Sequence, residues 1–200
     1  MSIALVEDDE AALDSLRLLL EGHGLSVRCF ASAESFLASL AEFHPACLVC
    51  DVRLPGLSGL ELQRALKAKG DEVPVILITG HGDIGMAVTA MKEGAFDFVE
   101  KPYDAERLIA GIEKALAVGE ELRSREGERA EVLERLADLS PRQKEVMQLV
   151  AEGLSNKQIA ARLGISPRTV ENYRAWVMER MGAGNVADLV RKVLIVERKH

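Results

Sequence analysis

Five short apolar runs punctuate the first 118 residues, at 3–6, 25–29, 46–50, 75–78 and 96–99. Runs this short, closed by polar or turn-forming residues, read as β-strands, and their near-continuous apolarity fits burial on both faces of a sheet. Between them the apolar positions take a helical period, over about 10–21, 32–40, 58–69, 84–93 and 104–118. Leu13, Leu16, Leu19 and Leu20 draw one stripe along the first helix, and Leu60, Leu62, Ala65 and Leu66 another along the third. Crossovers between parallel strands are almost always right-handed. Five alternating strand–helix units therefore predict an α/β fold, a five-stranded doubly wound parallel sheet with helices on both faces.

Past residue 118 the pattern changes twice. Residues 119–136 are charged and mostly helix-favouring, with Leu122, Val132, Leu133 and Leu136 as sparse apolar points and Gly119 and Gly127 as interruptions. They read as a charged helical linker continuing the fifth helix, with a solvated tether as the alternative. From 139 onward the pattern is helical only. Ser140-Pro141 is an N-cap followed by proline at the first helical position, Ser155 opens a second helix that Gly164 ends, and Ser166-Pro167 opens a third that runs to Met181. Residues 186–196 supply a fourth. The expected organisation is an α/β domain over 1–118, the linker over 119–136 and a small all-α domain over 137–200.

Charge separates the two ends. Residues 1–118 carry 19 acids against 10 bases, 119–138 carry 7 against 4, and 139–200 carry 6 against 11. A basic end on an acidic chain points to a polyanionic partner for that end alone. The acidic run Glu7-Asp8-Asp9-Glu10 stands where a secretory signal would need bases and an apolar core, and no apolar stretch is long enough to span a bilayer. Three cysteines, Cys29, Cys47 and Cys50, are an odd number suited to a reducing cytoplasm. Cys47 and Cys50 have redox or zinc spacing, but three residues apart on a strand they point to opposite faces, so they are expected to be core thiols.

Polar residues close four of the apolar runs: Asp8, Asp51, Thr79 and Lys101. In an open parallel sheet, ligands bind at the carboxyl ends of the strands. Glu7, Asp8 and Asp51 are expected close together there, and three ionised carboxylates in a small volume require a cation. Their oxygens suit Mg²⁺. With a cation present Asp51 can act as a carboxylate nucleophile toward phosphorus, while the Thr79 hydroxyl and the Lys101 ammonium serve phosphoryl oxygens.

These residues stand in segments that resemble the receiver domain of bacterial two-component response regulators: Val6-Glu7-Asp8-Asp9, Cys50-Asp51-Val52-Arg53-Leu54-Pro55-Gly56-Leu57-Ser58-Gly59, Ile78-Thr79-Gly80-His81-Gly82 and Phe96-Asp97-Phe98-Val99-Glu100-Lys101-Pro102. The resemblance implies a flavodoxin-like fold in which Asp51 accepts a phosphoryl group from a sensor histidine kinase. It implies that Asp8, Asp51 and the backbone carbonyl of Arg53 hold Mg²⁺, with Glu7 contributing through water. It also implies that Thr79 and Phe98 couple phosphorylation to the surface of residues 83–99, which then forms a homodimer. The Lys101-Pro102 bond is often cis in this family. An aspartyl-phosphate hydrolase is the enzymatic alternative, but such enzymes carry a second aspartate two residues after the nucleophile, where Arg53 stands. The chain is therefore expected to be no enzyme beyond slow self-dephosphorylation.

At the basic end, the second and third helices have helix-turn-helix length and spacing. With Val170 at zero, Tyr173, Val177 and Met181 fall at about 300°, 340° and 20° and form a buried stripe. Arg168, Glu171, Asn172, Ala175 and Glu179 fall between about 100° and 200°, on the face that would enter a major groove. Asn172 suits adenine and Glu171 suits cytosine, whereas Lys157, Arg168 and Arg174 are better placed for phosphates.

Leu139-Ser140-Pro141-Arg142-Gln143-Lys144-Glu145-Val146, Gly153-Leu154-Ser155-Asn156-Lys157-Gln158-Ile159-Ala160 and Ile165-Ser166-Pro167-Arg168-Thr169-Val170-Glu171 resemble the LuxR-type DNA-binding domain. That resemblance brings Thr169 into the DNA-binding set and makes helix 186–196, with Val186, Leu189, Val190 and Val193, a dimerisation surface. Receiver plus LuxR-type domain resembles the FixJ subfamily over essentially the whole chain. The implied protein is a cytoplasmic bacterial transcription regulator whose partners are a histidine kinase, a double-stranded DNA operator, a second copy of itself and RNA polymerase, with no membrane. The family often has a basic residue where Glu171 stands and histidine where Tyr173 stands. A docking protein that no longer reads DNA is the remaining alternative.

Overall fold

The computed structural model describes residues 2–80 and 84–197. His81, Gly82 and Asp83, which belong to segments singled out above, lie outside the described residues, as do Arg198, Lys199 and His200. The chain divides into two compact units, Met1–Arg123 and Ser124–His200.

The first unit alternates strictly: β1 (Ser2–Val6), α1 (Glu10–Gly22), β2 (Ser26–Phe30), α2 (Ala33–Ser39), β3 (Cys47–Asp51), α3 (Gly59–Ala68), β4 (Val75–Thr79), α4 (Ile84–Glu93), β5 (Asp97–Glu100) and the start of α5 (Ala105–Ala137). The strands form one five-stranded sheet in the order β2-β1-β3-β4-β5, every neighbouring pair parallel. Every residue of the central strands β3 and β4 is buried, which is why their sequences read as unbroken apolar runs. The side chains of each strand alternate between two cores. Ile3, Leu5, Cys47, Val49, Ile76 and Ile78 meet Leu16 and Leu20 of α1 and Leu108, Ile112 and Leu116 of α5. Ala4, Val6, Leu48, Cys50 and Leu77 meet Phe36 of α2, Leu62 and Leu66 of α3 and Ala90 of α4. Cys47 and Cys50 thus lie in different cores, both as free thiols. Burial pushes the Cys47 thiol up to about 12 and that of Cys50 higher still.

Gly119, which the sequence presents as a weak point in a helix, has a packing reason. A side chain there would run into the carbonyl oxygen of Ala46 at the foot of β3, whereas Gly127 has open space around it.

Residues 119–136 lie within α5, and the boundary between the two units falls inside this stretch, after Arg123. Val132 is buried in the core of the second unit, so the apolar points of the expected linker are partly core positions. That unit continues with α6 (Pro141–Ala151), α7 (Asn156–Leu163), α8 (Pro167–Arg180) and α9 (Val186–Glu197). Ser140, Ser155 and Ser166 each accept a hydrogen bond from the backbone N–H three residues on, and the first two close capping boxes with Gln143 and Gln158. Gly164, at the stop between α7 and α8, adopts the left-handed conformation. Val146, Val150, Ile159, Val170, Val177, Met181, Leu189 and Val193 form the core of this unit. Among the described residues no helix is long and apolar enough to cross a membrane.

Candidate functional site

Sheet order reverses between β1 and β3, and at such a point the loops leaving the strand ends diverge and leave a crevice. Glu7 directly follows β1, Asp51 and Thr79 are the last residues of β3 and β4, and Lys101 directly follows β5. Three of these side chains are drawn inward, with Glu7 5% exposed, Asp51 8% and Thr79 fully buried, and Lys101 is half-buried. The Lys101 ammonium donates to Glu7 Oε2 at 2.7 Å and to Asp51 Oδ2 at 2.5 Å. The other Asp51 oxygen, Oδ1, accepts the backbone N–H of Arg53 at 2.7 Å. Lys101 N–H donates to the Thr79 carbonyl at 2.7 Å, which ties the start of this loop to β4, and the Lys101-Pro102 bond is cis.

The electrostatics of this cluster are unbalanced. Burial raises the Glu7 pKa above its ordinary value; the Lys101 hydrogen bond opposes this and the Asp51 charge adds to it. For Lys101, burial is the largest single influence and disfavours the ammonium, but the bonds and charges of Asp51 and Glu7 together outweigh it and raise its pKa. One ammonium faces two buried carboxylates, with a third, Asp8, exposed beside them. Surplus negative charge on an all-oxygen donor set fits a hard divalent cation, which needs only one or two carboxylates and keeps several waters.

The expectation that Glu7, Asp8 and Asp51 crowd together is met only in part. Among the described residues no three side chains of the metal-ligating types converge. Lys101 draws Glu7 and Asp51 together, while Asp8 stays at the solvent edge. Asp9 is committed elsewhere, capping α1 by accepting the Ala12 N–H at 2.8 Å. Phe98 is half-buried against the core that includes Met86 and Ala90 of α4. Of the expected dimer surface, Asp83 lies outside the described residues; Val88 and Met91 of α4 are large apolar side chains about half exposed.

Two residues have positioning roles that the sequence reading did not assign. A side chain at Gly59 would collide with the Asp51 carbonyl oxygen, so only glycine lets α3 start against the end of β3. Glu34 of α2 accepts the Leu57 N–H at 2.9 Å and so holds the loop that follows Asp51. That bond also keeps the Glu34 carboxyl below its usual range. Gly59 was visible as part of a motif; the Glu34 contact spans 23 residues and leaves no local signal.

In the second unit, Val170, Val177 and Met181 of α8 are buried and Tyr173 packs half-buried beside them. Lys157, Arg168, Glu171, Asn172 and Ala175 are exposed, and Arg174 is half-buried at the edge of the stripe. The Thr169 hydroxyl lies 2.8 Å from Ser166 Oγ, so it is engaged at the helix start. One expectation is corrected on α9. Leu189 and Val193 close the core of their own unit and are not available to a second copy, whereas Val186 and Leu194 are exposed.

Comparison with known proteins accounts for both units. Residues 3–113 match the response regulator receiver domain, and residues 137–193 match the bacterial regulatory proteins of the luxR family. The transcriptional regulatory protein FixJ of Azorhizobium caulinodans is 46% identical over 195 residues, covering 98% of this chain and 92% of that protein. The structure of response regulator StyR superposes with a TM-score of 0.84 at 39% identity, covering 96% of this chain and 98% of that one. Full-length FixJ from B. japonicum gives a TM-score of 0.59 at 43% identity, covering 100% and 98%. The chain belongs to the two-component response regulators that join a receiver to a LuxR-type DNA-binding domain. A sensor kinase and DNA are the partners that such a pairing of domains implies.

Proposed function

We propose that this chain is a transcription regulator switched by phosphorylation of Asp51. The observation that carries the reading is the Lys101 ammonium shared between Asp51 and Glu7 at the mouth of the sheet. In the resting arrangement both Asp51 oxygens are engaged, one by Arg53 N–H and one by Lys101. For an Asp51 oxygen to bond to phosphorus as the kinase histidine leaves, Lys101 must shift from the carboxylate to an incoming phosphoryl oxygen. The Thr79 hydroxyl then donates to a second oxygen, and Phe98, half-buried beside α4, follows Thr79 inward. Asp8, Asp51 and the Arg53 carbonyl, with Glu7 through water, would hold Mg²⁺, which supplies positive charge to the phosphoryl oxygens.

Phosphorylation then favours a receiver homodimer through the α4–β5 surface, with α9 as a second contact. Two basic units are thereby presented to a two-fold operator, where the dimer acts on RNA polymerase. No turnover beyond slow loss of the phosphoryl group is expected. The test is intact mass after incubation with a small phosphodonor. One added phosphoryl group is expected with Mg²⁺, and none without Mg²⁺ or in Asp51→Asn. An adduct that persists in Asp51→Asn would overturn the assignment.

A further inference from the structure

The helix expected to enter DNA carries one residue that the polar face does not explain. Trp176, the only tryptophan in the chain, lies on α8 and is 50% exposed. A tryptophan offers a large apolar surface that folding ordinarily hides. Here the core of the unit is closed beneath it by Val170, Val177 and Met181, so packing within the unit does not call for it. Its indole nonetheless has a neighbour within the unit. It meets Tyr173 edge-on, with ring centroids 5.6 Å apart and planes at 84°, and Tyr173 packs on that core. The indole also borders a depression of about 440 Å³ formed with Gln143, Glu179 and Arg180.

Trp176 stands one helical turn after Asn172, about 40° further around the helix. The two share a stripe that begins at the groove-facing residues. The stripe lies in a cationic segment, with 11 bases against 6 acids over 139–200, Arg168 among them on the same reading face. Two acids, Glu171 and Glu179, sit on the reading face and are repelled by phosphate. Binding through this face therefore needs a favourable contribution that does not depend on charge.

We propose that Trp176 is a DNA-contact residue that determines specificity. Its indole lies against the thymine methyl and the adjoining deoxyribose beside the base pair read by Asn172. This rests on the DNA-binding role of the second unit. Thymine is the only base that offers an apolar group in the major groove, so an apolar side chain there selects T over C. Because Tyr173 flanks the ring on one side, part of its rotamer freedom is already restricted before contact.

The test uses the full chain, and the probe is a fluorescein-labelled duplex enriched by the chain from a random 30-base-pair pool. As the sole fluorophore of its kind, Trp176 reports on itself. Saturating duplex should cut acrylamide quenching of its emission at least two-fold. Deoxyuridine in place of thymine should weaken the wild type by about three- to ten-fold and leave Trp176→Asn unaffected, while Trp176→Phe keeps part of the discrimination. Matching circular dichroism melts show that the exposed substitution leaves the fold intact.

If duplex anisotropy rises while quenching stays unchanged, or if Trp176→Asn binds and discriminates like the wild type, the proposal fails and the DNA-binding role stands. If no duplex is enriched, both fall together.

Discussion

Replacing Lys101 by methionine removes the positive charge bonded to both Glu7 and Asp51 and keeps most of the aliphatic volume. Breaking a fully buried ion pair from one side costs about 3–5 kcal/mol. The Lys101 side chain is 28% exposed, so water reaches the cluster and the expected loss at pH 8 is smaller, about 2 kcal/mol. That is about a 30-fold fall in the folded-to-unfolded ratio, or roughly 6–8 °C in melting temperature for a unit of this size.

The loss should depend on pH in a definite direction. The folded-state pKa of Glu7 is already raised, so the folded unit holds the Glu7 proton more tightly than the unfolded chain does. Glu7 therefore weakens the fold at neutral pH, and the penalty is relieved as pH falls through its folded value toward the ordinary glutamate range. Without Lys101 that folded value rises further. Lys101 itself has a raised pKa, so its contribution is fully present below the ordinary lysine value and is lost only as pH climbs through the folded one. Between pH 5 and 8 its charge is constant, and only the carboxyl titration distinguishes the variant.

Urea unfolding followed by circular dichroism, with Trp176 fluorescence isolating the second unit, should show the deficit shrink as pH falls from 8 to 5. A deficit that is the same at both pH values, or no deficit, would refute the assignment of Lys101 as counter-ion to the buried Glu7.

Other changes probe the remaining supports. Gly59→Ala must push α3 away from the Asp51 carbonyl; it should cost about 1–3 kcal/mol and slow phosphodonor labelling, read by a thermal melt and by mass. Ser155→Ala removes a capping box and should cost the second unit about 1 kcal/mol, measured by Trp176 fluorescence in urea. Glu171→Lys should tighten binding to unselected duplex and steepen the log–log salt dependence by about one unit, read by anisotropy from 50 to 200 mM salt.

The parallel sheet was legible because its buried strands are continuous apolar runs, and the candidate-site residues Asp51, Thr79 and Lys101 because each stands at the end of such a run. What the sequence hid are relations between distant segments. Lys101 bridges two carboxylates 94 and 50 positions away, so its choice of Glu7 over Asp8 as partner has no local signature. Gly119 reads as a helix breaker because the Ala46 carbonyl it must clear is remote in sequence. On α9 the apolar period is correct, but periodicity does not tell a face that closes its own core from one that waits for a partner. Leu189 and Val193 belong to the first kind. Trp176 carries no periodic signal of its own, because its angle lies between the buried and groove-facing stripes.

The central claim is that one phosphoryl group on Asp51 governs DNA binding by the other unit. The most direct measurement is the affinity of the full chain for its selected duplex at fixed salt and Mg²⁺, with and without phosphodonor, beside Asp51→Asn. The account predicts at least ten-fold tighter binding on phosphorylation, together with a shift from one copy to two per duplex, and neither change in the variant. Equal affinity in all four samples, with the phosphoryl adduct verified by mass, would contradict it.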